Sequence, residues 1–132
     1  MTQQKNKNRC KIYNQIKFKQ SILFEDLLND LSDKRTGTDI DYMWENGEIY
    51  IFVEVKEYGK KIPTGQKILF ERLSKDIVYK KVYCFVLWHN NLDGSDIPLR
   101  DCLVAGVYWG NTWIDYRYKN VDFKTAFNKI IK

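Results

Sequence analysis

The chain has 132 residues and a formal net charge of +5, a length that suits one domain of roughly 150 residues and excludes two. Its apolar runs are far shorter than the roughly 18 residues of a membrane span, and its first twenty residues carry six Lys or Arg and no apolar signal segment. These features predict a cytoplasmic protein that binds no membrane. Cys10, Cys84 and Cys102 form no CxxC pair, which argues against a disulfide framework and a structural zinc site.

Charge is unevenly distributed along the chain. Residues 1–20 hold six basic and no acidic residues, residues 21–55 hold nine acidic against two basic, and residues 56–81 hold eight basic against three acidic. Basic surface favours nucleic acid through counterion release, and a carboxylate cluster between basic segments is typical of metal-dependent chemistry on phosphates. A basic tail beside ordinary solvated helix faces is the alternative interpretation.

The N-terminal part is predicted to be a basic, flexible arm over residues 1–15, followed by an amphipathic helix over residues 16–33. Apolar side chains recur there near helical spacing, and Arg35-Thr36-Gly37 ends the pattern. Residues 16–132 are predicted to form a single domain.

The clearest local signal is a β-hairpin. Asp39–Glu45 and Glu48–Lys56 are rich in strand-forming residues and are joined by Asn46-Gly47, the strongest short hairpin turn. A two-residue turn predicts the pairs Glu45–Glu48, Met43–Tyr50, Asp41–Phe52 and Asp39–Glu54. Alternation along the strands then gives a polar face and an apolar core face. The polar face holds Asp39, Asp41, Glu54 and Lys56, and the core face holds Ile40, Tyr42, Ile51, Val53 and Val55.

The rest of the chain alternates helix and strand signals. Thr64 is predicted to cap a helix over about residues 65–76, with Ile68, Leu69 and Leu73 facing inward. Val82–Trp88 is a buried strand, and residues 89–101 are a loop. Cys102–Trp109 and Thr112–Tyr118 form a second hairpin across Gly110-Asn111, and Asp122 caps a final amphipathic helix. The order α-β-β-α-β-β-β-α predicts an α/β fold with a mixed central β-sheet flanked by helices.

Two carboxylates and a lysine on one sheet face suggest a metal site. Crowded carboxylates cost free energy unless a cation or hydrogen bonds compensate, and Mg²⁺ takes oxygen ligands while keeping waters for a phosphate substrate. Lys56, two residues after Glu54, projects the same way and could orient a water or neutralise charge on phosphate. A salt-bridged hairpin without a site is the alternative.

At these residues the chain resembles the PD-(D/E)XK nuclease superfamily. Asp41 is followed after thirteen residues by Glu54-Val55-Lys56, in a strand–turn–strand context, and Gln66 lies ten residues after Lys56 at the start of the next helix. The stretch from Glu54 to Gln66 is similar to the VRR-NUC branch, and the spacing of the two acids is similar to that of Holliday-junction resolvases. The resemblance implies a restriction-endonuclease-like core and is strongest over residues 38–75.

The resemblance also implies residue roles. Asp41 and Glu54 match the metal-binding acids, the Val55 carbonyl matches a further ligand, Lys56 matches the catalytic lysine, and Gln66 matches a supporting or phosphate-contacting residue. The family tends to add an acid from the first helix, for which the candidates are Glu25, Asp26 and Asp30, with Glu25 preferred. Asp39 could assist or replace Asp41, and Ile40 stands where the family usually has proline.

The expected function is a Mg²⁺-dependent DNA endonuclease of phage type, with Mn²⁺ as a substitute metal. Branched DNA such as Holliday junctions is the first substrate hypothesis, and it requires two sites and therefore a homodimer. The alternative is a noncatalytic nuclease-fold factor that binds nucleic acid or protein, such as a phage inhibitor of a host nucleoprotein. The residues expected to hold the DNA backbone are Lys5, Lys7, Arg9, Lys11, Lys17, Lys19, Lys60, Lys61 and Lys67.

The remaining chemical signals are weaker. His89 is the only histidine, and without a nucleophile elbow nearby we interpret it as structural or as a contact at the rim of the site. Trp44, Trp88, Trp109 and Trp113 are interpreted mainly as core or dimer packing, with stacking on unpaired bases as the alternative.

The basic arm generates a first prediction. Removing residues 1–11 deletes four Lys or Arg, and each phosphate contact adds about 0.9 to the salt slope of log K on duplex DNA. The slope is expected to fall by up to roughly 3–4 units, while the melting temperature stays unchanged. An unchanged slope would mean that the arm does not touch DNA.

Overall fold

The computed structural model describes residues 40–132, and the predicted arm, the helix over residues 16–33 and Asp39 lie outside the described residues. Five strands form one sheet in the order β1-β2-β3-β4-β5. They are β1 (Tyr42–Glu45), β2 (Ile49–Glu57), β3 (Lys81–His89), β4 (Leu103–Trp109) and β5 (Thr112–Asp115), and the helices are α1 (Thr64–Asp76) and α2 (Phe123–Ile131). The described strands β2 and β3 are parallel, and the other neighbours are antiparallel. The predicted α/β class and mixed sheet are confirmed, and no helix of this region is long and apolar enough to cross a membrane.

Both faces of the sheet are packed, because β2 and β3 carry apolar residues on both sides. On one face Ile51, Val53 and Leu87 pack with Phe123 of α2. On the other, Phe52 and Cys84 pack with Phe70 of α1, together with the half-buried Ile40. Ile51, Val53 and Val55 do face a core as predicted, but the assignment of Ile40 to their face was wrong. Ile40 precedes β1, so strand alternation does not constrain it.

The first hairpin forms with a register two residues away from the prediction. Glu45 pairs with Tyr50 and Met43 with Phe52, so the predicted pairs Glu45–Glu48, Met43–Tyr50 and Asp41–Phe52 were wrong. The Asn46 side chain accepts hydrogen bonds from the backbone N–H groups of Glu48 and Ile49 at 3.0 and 2.9 Å, which moves the turn forward in the chain. Gly47 has a φ of +91°, a conformation that glycine adopts without strain. A shift of two leaves the side chains of β1 and β2 on their predicted faces.

Helix α1 confirms the predicted helix but not its details. Its cap residue is Pro63, with no side-chain cap bond, and Thr64 is the first helical residue. Ile68, predicted to face inward, is 40% exposed, whereas Phe70 is 1% exposed. The face of α1 that packs against the sheet contains Phe70 and Leu73. Ile68 lies on the opposite side of the helix from Phe70, because two residues turn an α-helix by about 200°.

The C-terminal half largely follows the prediction. The second hairpin turns across Gly110 and Asn111, both with positive φ, between the paired Trp109 and Thr112. Asp122 caps α2, since its carboxylate accepts from the Thr125 N–H at 2.8 Å. Several bounds differ: β3 extends to His89, β4 begins at Leu103 rather than Cys102, β5 ends at Asp115 rather than Tyr118, and the predicted loop includes a 3₁₀ turn at Leu99–Asp101.

Phe70 generates a prediction about the anchoring of α1. Phe70→Ala is expected to lower the free energy of unfolding by about 3–5 kcal/mol, because it leaves a cavity between helix and sheet. Ile68→Ala in the same helix is the matched control and is expected to stay within about 0.5 kcal/mol of the wild type, as for other surface positions. Urea unfolding measures both, and an equal fall in the free energy of unfolding for the two variants would contradict the assignment of Phe70 to the buried face of α1.

Candidate active site

Strand β2 buries a carboxylate beside a lysine. Glu54 is 4% exposed, on the sheet face that α1 covers. The Lys56 ammonium lies 3.2 Å from Glu54 Oε2, because residues two apart in a strand project to the same side. The other carboxylate oxygen, Glu54 Oε1, is buried and has no hydrogen-bond partner among the described residues. A buried oxygen without a donor is costly, so this position favours an added cation or donor.

Asp41 joins the site from the position just before β1, which begins at Tyr42 and not at Asp39 as predicted. Its carboxylate accepts a hydrogen bond from the Val55 N–H at 2.8 Å. The pair farthest from the turn is Tyr42 with Val53. Beyond it the backbone pairing ends, and the Asp41 side chain instead of a backbone carbonyl accepts the hydrogen bond from β2. A strand residue directs its N–H and C=O to the same neighbour, and we therefore expect the Val55 carbonyl to point toward the edge that Asp41 occupies.

Gln66 comes to the same place from the first turn of α1. Its side chain hydrogen-bonds the Glu54 carboxylate. The loop after β2 and the packing of Phe70 hold α1 over this face of the sheet. The structure therefore brings together Asp41, Glu54, Lys56 and Gln66, the four residues singled out from the sequence motif.

Burial and charge shift the acidity of Glu54. Its pKa is raised above the ordinary value of 4.5, first by burial and then by the nearby Asp41 carboxylate. Lys56 and the hydrogen bond from Gln66 lower it and offset part of that rise. The Asp41 effect shows that the two acids are electrostatic neighbours, the arrangement that a shared cation relieves.

The donor set fits Mg²⁺ with few protein ligands. The two carboxylates and the Val55 carbonyl offer hard oxygen atoms, and Mg²⁺ usually takes one or two carboxylates and fills its octahedron with water and substrate phosphate. The orphaned Glu54 Oε1 supports the fit. Within residues 40–132 no group of three or more His, Cys, Asp or Glu side chains forms a metal cage.

The other predicted site residues fall into two groups. Lys60, Lys61 and Lys67 line a groove beside the site. The first-helix acids Glu25, Asp26 and Asp30, together with Asp39 and the six basic residues from Lys5 to Lys19, lie outside the described residues. His89 is half-buried, and its Nδ1 accepts from the Asn91 N–H at 3.0 Å, an interaction that organises the following loop.

Sequence reasoning missed the walls of that groove. The cavity has a volume of about 430 Å³, and Trp88, Tyr118 and Arg117 contribute to its lining. Trp88 had a weak signal, since it ends a strand beside the one that carries Lys56. Tyr118 and Arg117 had no local signal, because their approach to the site depends on how β4 and β5 pack.

The burial of Glu54 generates a prediction. Glu54→Gln is expected to raise the free energy of unfolding at neutral pH in the absence of divalent cations, because it removes a buried negative charge. The exposed Glu57→Gln, in the same strand, is the control and is expected to change little. Chemical unfolding at several pH values measures both.

The sign of the pH dependence follows from the raised pKa. The folded state binds the Glu54 proton more tightly than the unfolded state, so wild-type stability falls as pH rises above 4.5 toward the folded value. The advantage of the glutamine variant is therefore expected to vanish at lower pH, where Glu54 is protonated in both states. A glutamine variant less stable than wild type at neutral pH would show that Lys56 and Gln66 more than offset the burial.

No family model, curated protein or solved structure matches the chain. The resemblance to the PD-(D/E)XK nucleases stays a prediction that rests on Asp41, Glu54, Lys56 and Gln66.

Proposed function

We propose that the protein is a Mg²⁺-dependent DNA endonuclease of the PD-(D/E)XK type. The observation that carries the proposal is the convergence of a buried acid, a second acid, a lysine and a helix glutamine on one face of the sheet. The alternative of a salt-bridged edge hairpin predicts exposed charges, whereas Glu54 is 4% exposed.

Each residue has a role in phosphodiester hydrolysis under this proposal. Asp41 and Glu54 would hold Mg²⁺, which supplies a positive charge that stabilises the pentavalent phosphate and the leaving 3′ oxygen. Lys56, with its ammonium 3.2 Å from Glu54 Oε2, would orient the attacking water and offset charge at the phosphate. Gln66 holds the Glu54 carboxylate by its hydrogen bond.

The surrounding charge supports a polyanionic substrate. Lys60, Lys61 and Lys67 lie on the loop after β2 and the first turn of α1, next to the site. Phosphate contacts of this kind position a substrate without reading its sequence. Branched DNA is the first substrate of the proposal, with a homodimer that supplies two sites.

A lysine substitution separates the enzyme from a binding factor. Lys56→Ala is expected to lower the rate of DNA cleavage with Mg²⁺ by roughly 10²-fold or more, because an oriented charge acts mainly in the transition state. DNA affinity is expected to change little. Lys75→Ala, an exposed lysine in the last turn of α1, is the control and is expected to cleave like wild type.

The substrates to compare are single-stranded, duplex, flap and four-way DNA, each with Mg²⁺ and with Mn²⁺. If the wild type binds these substrates but cleaves none of them, the noncatalytic binding factor replaces the enzyme proposal. Equal activity of wild type and Lys56→Ala would remove Lys56 from the mechanism.

A further inference from the structure

A basic and aromatic groove lies beside the candidate active site. The groove has a volume of about 430 Å³ and lies between the loop after β2, the first turns of α1 and strands β3 to β5. Its floor includes Ala105 and Gly106, where the pairing of β3 with β4 shifts register. Such a bulge re-aims side chains and is common next to functional sites.

Strand pairing places the groove directly against the site. Glu54 pairs with Val86 and Lys56 with Trp88 in the parallel β2–β3 ladder, and paired residues share a face. Val86 and Trp88 line the groove, as does Lys67, the neighbour of Gln66 in sequence. A chain lying in the groove would therefore reach Lys56 within one strand spacing, about 5 Å.

Three aromatic rings form a cluster at one end of the groove: Trp88 and Tyr118 line the groove, and Tyr58 lines the neighbouring cavity on the other side of Trp88. Trp88 is 5% exposed, and its indole N–H donates to the Lys60 carbonyl at 2.8 Å, which fixes the ring against the basic loop. The Tyr58 and Tyr118 ring centroids lie 4.8 and 5.7 Å from that of Trp88. Tyr58 and Tyr118 are 44% and 70% exposed, so part of each side chain remains accessible to a planar ligand although the two rings also contact each other, with centroids 6.2 Å apart.

The charge of the groove is positive. Its lysines Lys60, Lys61 and Lys67 form no ion pair with any carboxylate of residues 40–132. The one acid that lines it, Asp115, is already bound by the Arg117 guanidinium at 2.8 Å. The groove therefore offers cations for an anionic backbone and ring faces for flat groups.

We infer that this groove binds a single-stranded DNA segment and leads it to the active site. The inference rests on the proposed nuclease function and names its substrate class. Bases stacked in a duplex cannot present their faces to Tyr58 and Tyr118, whereas unpaired bases can, and such stacking tolerates any sequence. Because stacking on these rings requires unpaired bases, the substrate has an unpaired strand, as in a flap or at a junction. The lysines contact the phosphates of that strand.

Two tyrosines provide a matched test. Tyr118 and Tyr79 have left-handed φ angles of 65° and 67° and are both well exposed, but Tyr79 precedes β3 at the end of the sheet away from the groove. Tyr118→Ala and Tyr79→Ala therefore make the same backbone and side-chain change. Binding of fluorescent oligodeoxythymidine and of a duplex is measured for the full chain by anisotropy, without divalent cations so that nothing is cleaved.

Tyr118→Ala is expected to weaken binding of the single strand by roughly 5- to 150-fold, the range for loss of one stacked base. Its duplex affinity, and both affinities of Tyr79→Ala, are expected to stay at the wild-type level. Lys61→Ala is expected to lower the salt slope for the single strand by about 0.7. Oligouridine is compared with oligodeoxyuridine of the same length in the same assay, so that only the sugar differs, and a stacking loss confined to the RNA strand would overturn the assignment to DNA.

Equal effects of the two tyrosine variants, or equal loss on single strand and duplex, would overturn the inference. Because the assay contains no metal, its failure leaves the cleavage test of Lys56→Ala standing. Conversely, the wild type could cleave no substrate while Tyr118→Ala still weakens single-strand binding. That result would refute the proposed nuclease activity and support the proposed binding of single-stranded DNA in the groove.

Discussion

The burial of one carboxylate is the constraint around which this structure is organised. Glu54 is 4% exposed in the middle of the sheet, and a carboxylate in that position costs free energy unless charges and donors surround it. Lys56 pairs with one of its oxygens, Gln66 reaches it from α1, and Asp41 adds a second negative charge. Together these neighbours leave the pKa of Glu54 raised, so its charged form remains unfavourable, and the proposed Mg²⁺ would offset that cost.

The parallel pairing of β2 and β3 places Glu54 and Lys56 next to the groove. The connection between these strands crosses over as α1, and this crossover brings Gln66 and Lys67 to the same face as Glu54. The same pairing sets Val86 and Trp88 beside Glu54 and Lys56, so apolar and aromatic groove walls continue from the charged residues. The proposed catalytic residues and the proposed DNA-binding groove thus depend on the same crossover.

Much of the fold and most of the described site could be predicted from sequence, because their signals are local. Asn46-Gly47 and Gly110-Asn111 mark turns through backbone preferences, and Asp122 marks a helix start through its own carboxylate. Glu54 and Lys56 share a face because they are two residues apart in one strand, and this holds for any hairpin register. The predicted register was wrong by two residues, but an even shift preserves faces, so Asp41 was still predicted on the same face as Glu54.

The sequence by itself determined the α/β class, the turns and the side of the sheet on which the charged residues project, since each depends on residues close in the chain. The hairpin register also depends on local contacts, the hydrogen bonds from the Glu48 and Ile49 N–H groups to the Asn46 side chain, but strand alternation alone does not reveal them. Only the tertiary structure decided which side chains meet across the fold. It also decided that Phe70 rather than Ile68 anchors α1, and that Tyr118 meets Trp88. Those contacts join residues distant in sequence, and packing against the sheet selects them where local preference does not.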